Sequence, residues 1–447
     1  MAPLRYPTGV SCRPPRGTRY DPPASHGGGT VKILQHRDVL SIVLAGGMGE
    51  RLFPLTQDRA KPAVPFGGRY RIIDFALNNC INSGLTKIKV MTQFKSNSLI
   101  EHIIRTWRLS FDIGQFVDPV PAQMRRGPHW FRGTADAVYQ NLDLIFDEEP
   151  EHVCVFGGDH IYMMDVNPML LFHEEGGHDL TIAAIPVPIA EASRFGVLEV
   201  AADGRIVGFE EKPAAPRCMP GQPELALASM GNYIFRAGVL IEALEHDALQ
   251  DTSHDFGRTI IPALLAGGGR LFAYDFSTNR VPGAEDLPPY WRDVGTVDSY
   301  WDASMDLISV TPPLNLYNPK WPLKSHASQL PPAKFVFADA VSERIGIATD
   351  STVASGCIIS GGTIHRSILF PKVRINSFSH VEECVLMDGV DVGRYARLRR
   401  VIVDRGVKIP PRTEVGFDVE EDRKRFHVSE GGIVVIPKGA EVLGPAD

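Results

Sequence analysis

The feature that most constrains this chain is a beat of 17 residues near its C-terminal end. Val373, Val390 and Val407 stand 17 apart, as do Ile358, Ile375, Val392 and Ile409. Ile364, Val381, Leu398 and Val415 repeat the step, and Ile368, Val385 and Ile402 form a fourth register. Within one step apolar positions recur roughly six apart, as from Ile375 to Val381. Three short faces per coil, each coil covering its neighbour's apolar interior, describe a parallel β-helix. A flat antiparallel sheet would show period two and hairpin turns instead.

Upstream, from about Asp38 to Asp306, apolar runs alternate with helical patterns. Val39 to Leu44 is an apolar strand interrupted only by Ser41, Lys87 to Met91 is a second strand-like run, and His152 to Phe156 is a short buried third. Helical spacing covers Ser96 to Arg108 and Ala135 to Phe146. This alternation predicts an α/β domain, a mainly parallel sheet covered by helices on both faces. Ligands of such sheets sit beyond the carboxyl ends of the strands. Residues 309 to 335 carry Pro312-Pro313, Pro319, Pro322 and Pro331-Pro332 and read as a linker. The first 29 residues hold six prolines, four arginines and one acid, a composition that reads as disordered. The expected organisation is a leader 1–36, a catalytic domain 37–308, a linker 309–335 and a β-helix 336–447.

A formal charge of −7 argues against general nucleic-acid binding, so any anion site must come from locally placed cations, backbone N–H groups or metal. No apolar run approaches the roughly 20 residues that span a bilayer. The six cysteines show no C-x-x-C pair, which suits a reducing compartment.

Gly46-Gly47-Met48-Gly49-Glu50-Arg51-Leu52 follows the first strand directly. Glycines there let backbone N–H groups approach a polyphosphate without Cβ obstruction. The segment is neither a Walker A loop nor a G-x-G-x-x-G fingerprint, and taken alone it is equally a tight turn. Arg51, Arg59 and Lys61 follow within 15 residues of the turn. One surface cation is usually a solvated spectator, but three beside a glycine turn on an acidic chain suit a triphosphate.

Asp159, after Gly157-Gly158, ends the third strand and is placed to hold Mg²⁺ or, alternatively, to cap the next helix. Trp291-Arg292-Asp293 offers a second acid, with Thr296 placed to cap a helix starting near Val297. Two separated carboxylates gripping metal suit phosphoryl or nucleotidyl transfer. Glu211-Lys212 presents a lysine for phosphate. As a rim ion pair it would contribute under about 1 kcal/mol.

Taken together these segments resemble bacterial glucose-1-phosphate adenylyltransferases, from about Leu40 to Ile436. The resemblance is carried by Leu44-Ala45-Gly46-Gly47, Arg59-Ala60-Lys61-Pro62-Ala63-Val64, Arg71-Ile72-Ile73-Asp74-Phe75 and Trp130-Phe131-Arg132-Gly133-Thr134-Ala135-Asp136-Ala137. Gly158-Asp159-His160-Ile161-Tyr162, Ala228-Ser229-Met230-Gly231, Ser253-His254-Asp255-Phe256-Gly257 and Tyr290-Trp291-Arg292-Asp293-Val294-Gly295 complete it.

The resemblance implies a Rossmann-like nucleotidyltransferase domain followed by a left-handed parallel β-helix. It also implies synthesis of ADP-glucose and pyrophosphate from ATP and glucose 1-phosphate with Mg²⁺, supplying glycogen in the cytoplasm. By the same resemblance, Arg51 and Lys61 contact the ATP phosphates, with Asp159 and Asp293 on the metal, all four catalytic. Leu44, Ala45, Gly46, Gly47, Gly49, Gly133 and Thr134 line the ATP site, and Gln123 reads adenine. Lys212 holds the sugar phosphate, while Tyr139, Gly196, Glu211, Ser229, Tyr233 and Trp291 line the sugar site.

The family is typically a homotetramer regulated by a sugar-phosphate activator and an AMP-type inhibitor. Arg59, Arg374, Arg423, Lys424 and Arg425 are candidate effector contacts. Asp58 and Val428 stand where some members place activator-binding Lys and Arg, so the effector here is unknown. The alternatives are a sugar nucleotidyltransferase using UTP, dTTP or GTP, a non-catalytic regulatory subunit, or an acyltransferase fusion using His365 or His380.

Overall fold

In the computed structural model, residues 38–326, 328–339, 341 and 344–444 are described, so the leader lies outside them. Val39–Leu44 sits near the middle of a nine-stranded sheet, pairing in parallel with Lys87–Thr92 on one side and His152–Gly157 on the other. Phe116–Pro121 extends the parallel set, while the long strand Leu225–Arg236 runs antiparallel to His152–Gly157. Leu225–Arg236 then pairs with both Leu180–Pro188 and Gly196–Val200, and the latter carries Ile206–Glu211 on its outer side. The central strands are mostly apolar because both faces are covered: Leu40, Ile42, Val43, Val153 and Val155 are fully buried.

Helical spacing over 135–146 gives two helices rather than one, Thr134–Tyr139 and Asp143–Glu148. The Asn141 side-chain amide donates to the Ala137 carbonyl at 2.8 Å, the kind of local bond that competes with the helical ladder at this break. Thr296 does cap the helix Val297–Asp306: its Oγ1 accepts from the Ser299 N–H at 3.1 Å.

The 17-residue beat is a β-helix of three parallel ladders. Ile375, Val392 and Ile409 stack in one ladder, Val381, Leu398 and Val415 in the second, Leu369, Leu386 and Val403 in the third. The first coil is one residue shorter, however: Ile359, not Ile358, stands under Ile375, and Ile358 is left exposed. The first strand of the column, Lys334–Val336, starts inside the span read as linker.

Phe378, Tyr395 and Arg412 mark one corner on successive coils, each near φ +62. Left-handed backbone is costly for such residues. Here the Phe378 and Tyr395 rings stack at 4.9 Å, and the Arg412 guanidinium lies 5.0 Å over Tyr395. An Ile375→Val change, removing one methyl from the packed interior, should cost about 1 kcal/mol. It would appear as a lower urea midpoint at unchanged slope.

One apolar cluster joins Leu52, Phe66, Tyr300 and Leu307 of the sheet domain to Ile368, Phe370, Met387 and Val435 of the column. At its edge Arg59 Nη2 donates to both carboxylate oxygens of Asp404, at 2.9 and 2.8 Å, both side chains buried. Nearby, Trp301 Nε1 donates to the Glu383 carbonyl at 2.9 Å. Among the described residues, no helix is long and apolar enough to cross a membrane.

Candidate active site

The turn after Leu44 and the end of the His152–Gly157 strand lie side by side, because those two strands pair: the Gly158 N–H donates to the Leu44 carbonyl at 3.0 Å. They open on a cavity of about 790 Å³. Leu44, Ala45, Gly46, Gly47, Gly49 and Arg51 form one wall, with Lys61 and Asp159 among the other lining groups. Gly133, Thr134, Glu211, Lys212 and Tyr233 line it as well. A Cβ on Gly133 would fall 2.3 Å from the backbone oxygens of Ser253 and His254, so glycine is required for the two loops to meet.

Asp293 is brought in by a small antiparallel pair, His160–Tyr162 with Trp291–Asp293, which sets Asp293 opposite His160. The Lys61 ammonium then bridges the two acids, 2.9 Å from Asp159 Oδ2 and 3.0 Å from Asp293 Oδ1. The side chains of Lys61 and Asp293 are 7% and 8% exposed, whereas that of Asp159 keeps 38%, so Asp159 is the solvent-facing member of the three.

Burial by itself would push both carboxyls up. Lys61, with help from His160, holds each below its usual range, Asp159 the further of the two. Burial likewise opposes the Lys61 charge, yet the two carboxylates keep its pKa above the ordinary lysine value. The trio's contribution to stability is lost as pH falls through the lowered carboxyl values or rises through the raised lysine value, and is present between them.

The donor set suits a hard divalent cation. Two carboxylates face one point now occupied by an ammonium, and Mg²⁺ characteristically takes one or two carboxylates, completing its shell with substrate phosphates and water. Among the described residues no group of three or more His, Cys, Asp or Glu is placed to hold a metal, so the phosphates would have to supply the remaining ligands.

Other sequence-derived residues fall around this centre. A Cβ on Gly295 would lie 2.8 Å from Asp293 Oδ2 and 3.1 Å from Arg51 Nη2, which places the Arg51 guanidinium beside the acid. Gly196 stands opposite Glu211 in the ladder. Ser229 accepts from the Gly231 N–H at 3.2 Å, and Gly231 lines the cavity. Trp291 packs between His160 and Phe195, with its buried Nε1 unpartnered.

Asp293, Gly196, Ser229 and Trp291 are not themselves among the lining residues, and neither are Gln123 and Tyr139, which stand apart from the centre. Gln123 is exposed beyond its strand and accepts from Arg125, and Tyr139 packs on the core with Arg126 4.6 Å over its ring. Of the candidate effector contacts, Arg59 is committed to Asp404 and Arg374 donates to Asn376 at 3.2 Å. Arg423 and Lys424 pair with Glu420 and Glu421, and Arg425 bonds the Leu443 carbonyl. His365 and His380 stand on the exposed outer face of the column, each within hydrogen-bond reach of a threonine, Thr349 and Thr363.

The structure adds residues to which no site role was assigned from sequence. Gln93 clasps the backbone of Phe131 with both ends of its amide, at 2.8 and 3.3 Å, and both residues line the cavity. Gln93 directly follows the strand Lys87–Thr92, so the rule of strand carboxyl ends pointed at it. Asp255 accepts from Thr134 Oγ1 at 2.8 Å and from the Gly257 and Arg258 N–H groups, tying the loop after residue 252 to Thr134.

Comparison with known proteins agrees with this architecture. The family model "Nucleotidyl transferase" matches residues 40–310, and "GlmU-like, C-terminal hexapeptide" matches 331–436, the latter consistent with a left-handed β-helix. A glucose-1-phosphate adenylyltransferase of Anaeromyxobacter sp. is 56% identical over 90% of this chain and 99% of its own length. Those of Thermus thermophilus and Aliivibrio fischeri are 55% and 53% identical over 90% of this chain, covering 98% and 99% of their own lengths. With a sheet domain, a coil column and a shared length that all coincide, the chain belongs to the glucose-1-phosphate adenylyltransferase family of nucleotidyl transferases.

Proposed function

We propose that this chain transfers the adenylyl group of ATP to glucose 1-phosphate, releasing pyrophosphate and forming ADP-glucose, with Mg²⁺ as cofactor. The observation that carries this reading is the meeting of Asp159, Asp293 and Lys61 at one point, on the glycine-walled cavity that Asp159 and Lys61 line. Asp159 and Asp293 would hold the Mg²⁺, which supplies charge neutralisation between the phosphates of the two substrates. Arg51 and Lys61, with the N–H groups of the Gly46–Gly49 turn, take the triphosphate and stabilise charge developing on the leaving pyrophosphate. Lys212 takes the phosphate of the hexose and aims its oxygen at the α-phosphorus. Glu211, Ser229, Tyr233 and Trp291 fix the sugar. The nucleophile is already an ionised phosphate oxygen, so catalysis rests on positioning and electrostatics rather than on proton abstraction.

Pyrophosphate release from ATP plus glucose 1-phosphate, with and without Mg²⁺ and against UTP, dTTP and GTP, tests the reading. Equal use of another nucleotide, or no release at all, would replace it. Lys212→Ala should raise KM for glucose 1-phosphate roughly 10-fold or more, the scale of a lost charge-assisted hydrogen bond, and leave KM for ATP within about twofold. Matching rises in both would count against the assignment. A homotetramer under small-molecule control belongs to the same reading and is checked by light scattering and by titrating sugar phosphates and AMP into the assay.

A further inference from the structure

Arg194 belongs to none of the motifs that led to the site, yet it reaches the centre. It ends the short turn Ala192–Arg194, and its Nη2 lies 3.4 Å from Asp293 Oδ2, whereas Lys61 bonds Oδ1. Charge-assisted bonds of this kind close to about 2.7–2.9 Å when fully formed, so the pair is a loose one. The guanidinium's other described contact is the ring of Phe195, 5.8 Å away. A guanidinium has five donors in a fixed fork, and most of this fork is uncommitted. The side chain is one-third exposed, so the fork has access to the site.

Its surroundings are those of the hexose. The Phe195 carbonyl, one residue on, accepts the Lys212 N–H at 3.0 Å, and Gly196 stands opposite Glu211. The Phe195 ring packs 5.3 Å from Trp291, whose Nε1 is a buried donor awaiting a partner. Arg194 is thus tied through one backbone turn to the lysine read as the sugar-phosphate ligand, and its tip touches the acid read as a metal ligand.

Asp293 already has the Lys61 ammonium at 3.0 Å and the Arg51 guanidinium beside it, so its charge is still compensated when Arg194 turns elsewhere. We propose that Arg194 is a second cation for the phosphate of the hexose substrate, shared with Lys212, and that it leaves Asp293 for that phosphate when the substrate arrives. The inference rests on the functional reading above and extends it to a residue outside every motif quoted for the family.

The test compares wild type, Arg194→Ala and Arg194→Lys. KM for glucose 1-phosphate and for ATP and the Mg²⁺ activation midpoint are measured for each. Calorimetry then titrates glucose 1-phosphate into enzyme saturated with α,β-methylene-ATP and Mg²⁺. Arg194→Ala should weaken glucose 1-phosphate about 10-fold by both KM and calorimetry, with KM for ATP and the Mg²⁺ midpoint within about twofold. Arg194→Lys should recover most of the loss.

Unchanged glucose 1-phosphate binding together with a lower Mg²⁺ midpoint would make Arg194 a mere counter-ion of Asp293 and overturn the proposal. Equal weakening of both substrates would overturn it too. If Arg194→Ala does not fold, Arg194→Gln, which retains much of the side chain's length, carries the same comparison. Absence of pyrophosphate release by the wild type is a separate outcome, and it would remove the functional reading itself.

Discussion

Asp159→Asn should turn over at least about 10²-fold more slowly than the wild type, the scale of losing one preorganised electrostatic group. The amide keeps the shape of the side chain but gives the divalent ion a weak neutral oxygen in place of one of two carboxylates. It also removes one of the two charges that hold the Lys61 ammonium, 2.9 Å away. Folding should be little affected, because Lys61 retains Asp293 at 3.0 Å and the Asp159 side chain is more than one-third exposed. The check is pyrophosphate release at saturating substrates over a range of Mg²⁺, alongside a melting curve. Turnover within twofold of wild type, at any Mg²⁺ concentration, would take Asp159 out of the metal site.

A second large effect is expected far from the chemistry. Asp404→Ala should destabilise the protein by about 3–5 kcal/mol, since it strands the buried Arg59 guanidinium without its partner. The only other described contact of that guanidinium is the Met387 sulfur at 3.9 Å, a weak acceptor. Replacing both members with apolar residues, Arg59→Met with Asp404→Leu, should recover much of the loss, because burying two charges is itself costly. Urea unfolding of the two single variants and the double variant measures this. A single-variant loss below about 1 kcal/mol would mean that water reaches the pair and screens it.

Much of this architecture was legible because the physics acting on it is local and periodic. Ile375, Val392 and Ile409 must all point inward, so their spacing declares the coil. Periodicity failed where the coil length changes, at Ile358 and Ile359, since one residue fewer leaves the apolar pattern nearly intact. It failed again at Gln140 and Asn141, where side-chain bonds to Asp136 and Ala137 accompany the break in a helix that hydrophobic spacing alone would continue.

In the site, the ends of parallel strands identified the Gly46 turn and Asp159. The convergence of Asp293 on the same ammonium depends on a three-residue strand pairing across more than a hundred residues, which no local signal encodes. Arg194 was invisible for a similar reason: its role comes from a turn that packs beside Trp291, not from a spacing.

Phe370, Met387 and Asp404 occupy equivalent places on consecutive coils, and the last of them is gripped by Arg59. Inserting or deleting a residue inside a strand between them would turn over the side chains of the rest of that strand, exposing apolar groups and burying polar ones, whereas a corner can absorb the change, as the 16-residue step from Ile359 to Ile375 shows. Removing one whole coil would preserve the layers but deliver the wrong residue to Arg59. Val435 and Ser429 meet the sheet domain as well, the former in the shared apolar cluster and the latter on Asp298, so the constraint on coil number runs past Asp404 to the end of the column.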